Sequence, residues 1–265
     1  MIFSSPIPFR EALESRLVRA LLPTDLRTDL LATIPSELRE RAMFSAGVTD
    51  AEFLQRSSDL IDDLLEGRTN RAEARTALKE FMGTLGADVD ETDLTDLRSD
   101  ARLNLILDTN VAMAEGYGQW AQAQDPVALE EYPARELVRV RASRVERDWP
   151  SRWLEAGGTF YGNRMIALID DPIWTAISRF GTPWAPFDFN SGMDTVPVDR
   201  DTAEDLGVIA PGAPAPRPRD RDFNTDLKVT PEVRDRSLRD ALAEALQGVA
   251  SFDAGGVLRI SGGAP

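Results

Sequence analysis

The sequence has no cysteine and no histidine, and only two of its 30 basic residues, Lys79 and Lys228, are lysine. Without cysteine there is no disulfide framework, and cysteine usage carries no signal of redox compartment. No Cys/His zinc site can form, and a cysteine nucleophile, a Ser-His-Asp triad and a histidine general base are all excluded. Catalysis by this chain would have to rest on carboxylates, Ser, Thr, Tyr, Lys or a cofactor. No apolar run approaches the roughly 20 residues of a spanning helix, so no membrane segment is expected. The opening residues lack a basic stretch followed by an apolar core, and no secretory leader is expected there. Gly-rich phosphate loops are missing too. AGGTFYG, residues 156–162, fits neither the P-loop nor the dinucleotide pattern and reads as a hairpin or tight turn. There is no internal repeat and no sustained heptad pattern.

What is present is ordinary for a globular chain of one or two domains: 265 residues, 42% hydrophobic and 28% charged. Acidic residues number 45 against 30 basic, a net charge of −15. Such a surface repels nucleic acid on average, so tight direct nucleic-acid binding is not expected. The excess of arginine over lysine reads as coding composition before it reads as selection for bidentate contacts.

Residues 1–124 read as a helical domain. Ser5-Pro6 opens a helix bearing Phe9, Leu13, Leu17 and Leu21, which Pro23 stops, and Thr24-Asp25 caps a short second one. Thr49 with Glu52 forms a capping box ahead of a stripe of Phe53, Leu54, Leu60, Ile61, Leu64 and Leu65 that ends at Gly67. Asn70 with Glu73 repeats the box ahead of Ala74, Ala77, Leu78 and Phe81. A longer helix is expected from about Thr92 through Leu103, Leu107, Val111 and Tyr117. Residues 125–209 change character. Pro, Gly and Trp rise, residues 136–140 and 165–169 read as strands, and the region reads as a small loop-rich α+β domain. Residues 210–229 read as an extended, semi-rigid Pro-rich linker. Thr230-Pro231-Glu232 starts a last helix through Leu238, Leu242 and Leu246, with a short strand within 252–260 before the tail ends at 265. The expected fold class is therefore α+β, mainly α, ending in a C-terminal helical arm.

Several constellations bear on chemistry. Asp88, Asp90, Asp93 and Asp96 imitate the start of a calcium loop, but Asp93 and Ser99 stand where Gly and Glu are required, so the cluster reads as a solvated loop. Asp199, Asp201, Glu204 and Asp205 suit a helix start. Asp170 and Asp171 precede Pro172 and read as turn formers, with a catalytic carboxylate pair as the rarer alternative. Thr109 and Asn110 interrupt the stripe of the long helix. Asn110 is expected to hold backbone of the following loop-rich region, with an active-site role as the alternative. Arg135, Arg139, Arg141, Arg144 and Arg147, with Trp149 and Trp153 behind them, form the one dense basic stretch. A solvated surface is the leading reading; nucleic acid or an acidic partner is the other. Trp174, Trp184, Phe187, Phe189 and Asn190 read as the core of the small domain. If the ends of the chain dock on a partner, Phe3, Phe9, Leu238, Leu242 and Leu246 are the contact candidates. No cofactor site and no metal site stands out.

The order of four segments resembles the phage Mu F-type minor head proteins, the phage head morphogenesis family. The segments are FSAGVTDAEFLQRSSDLIDDLLEGRT, RLNLILDTNVAMAEGYGQW, RMIALIDDPIWTAISRFGTPWAPFDFNSGM and TVPVDRDTAEDLGV, which together span roughly residues 44–209. The chain departs from the family at the histidine and Cys-x-Cys that many members carry. Ser191-Gly192-Met193 follows Phe189-Asn190 where Cys-Arg-Cys would stand. The resemblance implies a low-copy protein of the virion. It would sit near the portal protein and other head proteins, act in head assembly and DNA packaging or ejection, and do no catalysis of its own. Two other classes remain open: an enzyme on 125–209 of nucleotide-binding or ADP-ribosyl-transfer type, and an acidic adaptor that binds a basic partner.

Overall fold

The structure, a computed structural model, describes residues 10–17, 20–21, 42–43, 48, 51–82, 90–94, 96–143, 146–218, 250–252, 254 and 258–260. Phe3, Phe9, Leu238, Leu242 and Leu246 lie outside the described residues, as do the expected short helices between 22 and 41 and the last helix. The fold is α+β and mainly α, as the periodicity predicts. It divides into two compact units, one of Met1–Ala114 with Phe223–Pro265 and one of Glu115–Asp222. The boundary lies within the long helix, about ten residues before the expected one at 124/125.

In the first unit, α1 (Arg10–Leu17), α2 (Ala51–Leu65), α3 (Arg71–Phe81) and the first turns of α4 (Asp100–Gln122) carry the core. A parallel pair β1 (Ala20–Leu21) and β2 (Ala42–Met43) and an antiparallel pair β7 (Ala250–Phe252) and β8 (Leu258–Ile260) complete the described part. The stripe periodicity survives folding: Phe53, Leu54, Leu60, Ile61, Ala74, Leu78, Leu103, Ile106 and Leu107 are buried in one cluster. Phe81 is the exception and is exposed. Asn70 caps α3 through its side chain, which accepts from Ala72 N and Glu73 N at 3.0 Å, and Glu73 answers on the Asn70 N–H.

Two features depart from the sequence expectation. The long helix begins at Asp100, not near Thr92, because the preceding acids close local turns. Asp90 accepts from the Thr92 N–H and hydroxyl, and Asp96 from the Arg98 N–H. Ser99 then caps α4 by accepting from Arg102 N at 3.1 Å. Leu21, expected in the first helix, instead lies in β1 after α1 has stopped at Leu17, and Arg16 of α1 is buried. Its guanidinium donates to Asp62 at 3.1 Å and to the Ser58 hydroxyl. Burial lowers the Arg16 pKa and raises that of Asp62, each against the pull of the other.

The second unit is a four-stranded antiparallel sheet in the order β4 (Phe160–Tyr161), β5 (Arg164–Leu168), β3 (Ala134–Arg139), β6 (Met193–Val198). Gly162 and Asn163, both at positive φ, make the two-residue turn between β4 and β5 that the glycine-rich stretch suggests. Side chains alternate across the sheet. Ala134, Ile166 and Val198 join Ala203 and Ile209 on one face, while Leu137, Ala167 and Met193 join Trp149, Trp153, Trp174, Ile177 and Phe187 on the other. The first face is covered by α8 (Arg200–Asp205), capped by Asp199 accepting from Thr202 N at 2.8 Å. The second is covered by α6 (Trp149–Glu155) and the short α7 (Ile173–Ala176); α5 (Pro126–Glu131) leads into β3.

The first part of the expected linker is packed, not extended free. Ala213 joins the α8 core, its carbonyl accepts from Arg200 at 3.1 Å, Gly212 N donates to Glu204, and Pro216 is buried. Proline leaves few backbone donors to satisfy, and the segment covers apolar surface that α8 leaves open.

Candidate functional site

Two neighbouring features of the second unit gather the polar and aromatic residues that the sequence singles out. The first is an aromatic seam where the last turns of α4 meet the loop before Phe187. Tyr117 and Trp120 each lie with ring centroids close to Trp184, both at 5.2 Å. The approach is possible because residue 116 is glycine: a Cβ there would run into the Ala185 carbonyl oxygen. Below the seam, Arg135 donates to the Thr195 hydroxyl at 3.0 Å and lines a small cavity with Asp194, Trp120 and Trp184. Burial lowers the pKa of Arg135 and raises that of Asp194.

Beside the seam opens a cavity of about 430 Å³. Trp120, Pro172 and Pro183 form apolar wall, Asp170 and Asp171 supply carboxylates, and Arg217 supplies a guanidinium. Buried Gln124 also lines it and donates to the Trp120 carbonyl at 3.3 Å. Asp171 accepts from Ile173 N at 2.8 Å, which is the turn-forming role expected for it.

The second feature is the loop 187–192, where the resembling family carries its cysteines. Asp188 is nearly inaccessible and is ion-paired with three arginines, Arg152 at 2.9 Å, Arg179 at 3.0 Å and Arg147 at 3.3 Å, and Arg152 donates a hydrogen bond to it. Its Oδ1 also accepts from Phe189 N at 2.8 Å. Six consecutive carbonyls of the loop are taken. Phe187 O accepts from Arg179 N, Asp188 O from Ser191 N, and Gly192 O from Val140 N and Arg141 N. Phe189 O accepts from Arg147, Asn190 O from the Ser143 hydroxyl, and Ser191 O from Arg139. Gly192 has φ of 67°, and a Cβ on it would meet the Arg141 carbonyl oxygen, so this position does not take the Arg of Cys-Arg-Cys without rearrangement.

The expected site residues therefore separate. Trp174, Trp184 and Phe187 are buried; Phe189 is half-buried and packs edge-on against Phe180 at 4.8 Å; Asn190 is exposed with φ of 48°. Thr109 and Asn110 are half-buried on α4. Asn110 does not hold the following loop: its amide donates to the Ile106 carbonyl one turn back at 2.9 Å. The basic stretch divides as well. Arg135 is half-buried, Arg139 and Arg147 clamp the 187–192 loop, and Arg144 lies outside the described residues. Trp149 and Trp153 are buried, so they offer no stacking face to nucleic acid.

Sequence reading misses Asp188, Arg152, Arg179, Gln124 and Arg217 altogether. Arg152 stacks over Trp149 at 4.7 Å, and its i, i+3 spacing from Trp149 on α6 is the only local signal among them. Among the described residues, no group of three or more His, Cys, Asp or Glu comes together as a metal site would require, and no helix is long and apolar enough to cross a membrane. Comparison of the chain with family models, characterised proteins and solved structures finds no match.

Proposed function

We propose that the chain is a structural and assembly protein of a tailed-phage head or phage-like particle. In this reading it is a minor head protein that contacts the portal or inner head wall and aids head morphogenesis and DNA packaging or ejection. The observation that carries the proposal is the order of the four segments that resemble the head morphogenesis family. The last residues of the second segment, 115–120, lie in the second unit with the third and fourth segments. The end of the long helix meets the Trp184 loop across the seam, and that loop runs directly into β6 and α8. Segments that belong to one module are expected to co-fold in this way. The net charge of −15 suits a surface that packaged DNA slides past without sticking.

Quantitative mass spectrometry of purified particles, scaled to the portal protein, tests the proposal. A few to a dozen copies per particle is the expected result. Absence from particles, with soluble chain in the lysate, overturns it. A second reading, an enzyme on 125–209 of nucleotide-binding or ADP-ribosyl-transfer type, is favoured by the cavity that Asp170 and Asp171 line with Arg217 from just beyond that range. The acidic adaptor reading draws on net charge alone.

A further inference from the structure

The cavity beside the seam has a chemistry of its own. Its volume of about 430 Å³ is in the range of small-ligand sites, roughly 300–1,000 Å³. One wall is the Trp120 indole with Pro172 and Pro183, and the charges on its lining are two carboxylates and one guanidinium. Asp171 spends Oδ1 on the Ile173 N–H, and that turn leaves Oδ2 for another donor. Asp170 is exposed, and no turn bond accounts for it. Among the described residues, neither carboxylate has a lysine or arginine within ion-pair distance, Arg217 included. The lining is thus net negative, with adjacent unpaired carboxylates beside an apolar wall.

We propose that this cavity receives an arginine side chain presented by a partner protein. The apolar stem of the side chain would lie along Trp120 and the two prolines. Its planar fork would meet the acceptors of Asp170 and Asp171, and the indole beside a cation adds to the attraction. Arg217 opposes the incoming charge and so weakens the site. The acidic surface of the whole chain steers a basic partner toward it. The inference rests on the cavity alone and stands whether or not the chain is a head protein.

The test uses the full chain at constant ionic strength, titrated with N-acetyl-arginine amide and, as the uncharged equivalent of the same shape, N-acetyl-citrulline amide. Tryptophan fluorescence and the amide resonances of residues 170–175 report occupancy. The arginine compound is expected to give saturable shifts. The citrulline compound and the Asp170→Asn variant should each bind about five- to tenfold more weakly, the loss of one charge-assisted hydrogen bond. Arg217→Gln should bind about twofold more tightly, the size of a screened like-charge contact. Among the described residues Asp170 makes no hydrogen bond or ion pair, so its variant should keep the parent near-ultraviolet dichroism. Equal binding of citrulline, indifference to Asp170→Asn, or no saturable shift with the arginine compound overturns the proposal. Tighter binding of free arginine than of the blocked compound also overturns it, since that would place a small zwitterion in the cavity with its carboxylate on Arg217.

Discussion

Trp184 is 4% exposed and lies within 5.2 Å of both Tyr117 and Trp120, so its removal leaves a large hole at the seam. Trp184→Ala should lower stability by about 3–5 kcal/mol, the usual cost of deleting a large buried aromatic. A urea titration with unchanged slope and a lower midpoint would show it; an unchanged midpoint would mean that the ring is not part of the packing. Gly116 is the matching position on the helix, and there the danger is addition. Gly116→Ala gains helix propensity but drives a methyl group into the Ala185 carbonyl, so a net loss of about 1–3 kcal/mol is expected. Thermal unfolding of the two single variants and the double variant would show non-additivity, because both act on one contact. The seam was partly legible. A buried tryptophan is the natural reading of an aromatic among Gly and Pro, but that Gly116 faces residue 185 requires the fold.

The 187–192 loop shows at the element scale how a segment without regular structure is held. Every carbonyl from Phe187 to Gly192 has a donor: Ser191 N within the loop serves Asp188, and the others come from β3, the turn after it, the approach to α6 and the segment after α7. Asp188 draws together Arg147, Arg152 of α6 and Arg179, so Asp188→Asn would leave three guanidinium groups around a neutral amide. A loss of about 3 kcal/mol is expected. That is the low end for breaking a buried pair, because the arginines keep 29–41% of their side-chain surface in water. Hydrogen exchange should rise at the amides of residues 188–193 before it rises in β5. Equal protection in variant and parent would show that the backbone bonds alone hold the loop. Regular elements were readable in the sequence: β3 and β5 fall within two residues of expectation, and the Asn70–Glu73 box is realised as expected. The start of α4 was not, since periodicity alone does not reveal that Asp90 and Asp96 prefer local turns.

For the whole molecule, the charge balance fixes how stability responds to acid. Five aspartates, Asp90, Asp96, Asp100, Asp148 and Asp199, are held below their ordinary range by hydrogen bonds to hydroxyl, ammonium, guanidinium or backbone donors. Asp96, bonded by the Arg98 guanidinium and N–H, is lowered to about 2. A carboxylate lowered by folding contributes stability that is complete above its unfolded value near 4 and is lost as pH falls through the folded value. Burial raises Asp62 and Asp194, whose contribution has the opposite sign and grows as pH falls through their raised values. Denaturant midpoints should therefore hold or rise slightly on acidification from pH 7 toward about 5, then fall between about pH 4 and 2. A midpoint that already declines between pH 7 and 5 would contradict this assignment. The same net charge of −15 predicts no tight, salt-sensitive binding to duplex DNA, which a titration at low salt would check.

The residue order settles what depends on neighbours along the chain. It excluded histidine and cysteine chemistry, set the helix cap at Asn70, put a helix start at Asp199 and a hairpin or tight turn within 156–162, and marked the apolar stripes of α2 and α3. These follow from backbone hydrogen bonding and side-chain period over a few residues. Folding in three dimensions is what puts Arg16 inside and packs the first part of the proline-rich stretch. It also decided that Asp188 gathers three arginines and that Asp170, Asp171 and Arg217 line one cavity. The reason is distance along the chain. Arg16 bonds Asp62 across 46 residues, Arg152 reaches Asp188 across 36 and Arg139 reaches Ser191 across 52. No local period encodes a partner so far away, and an arginine bound for the core looks the same in the sequence as one bound for water.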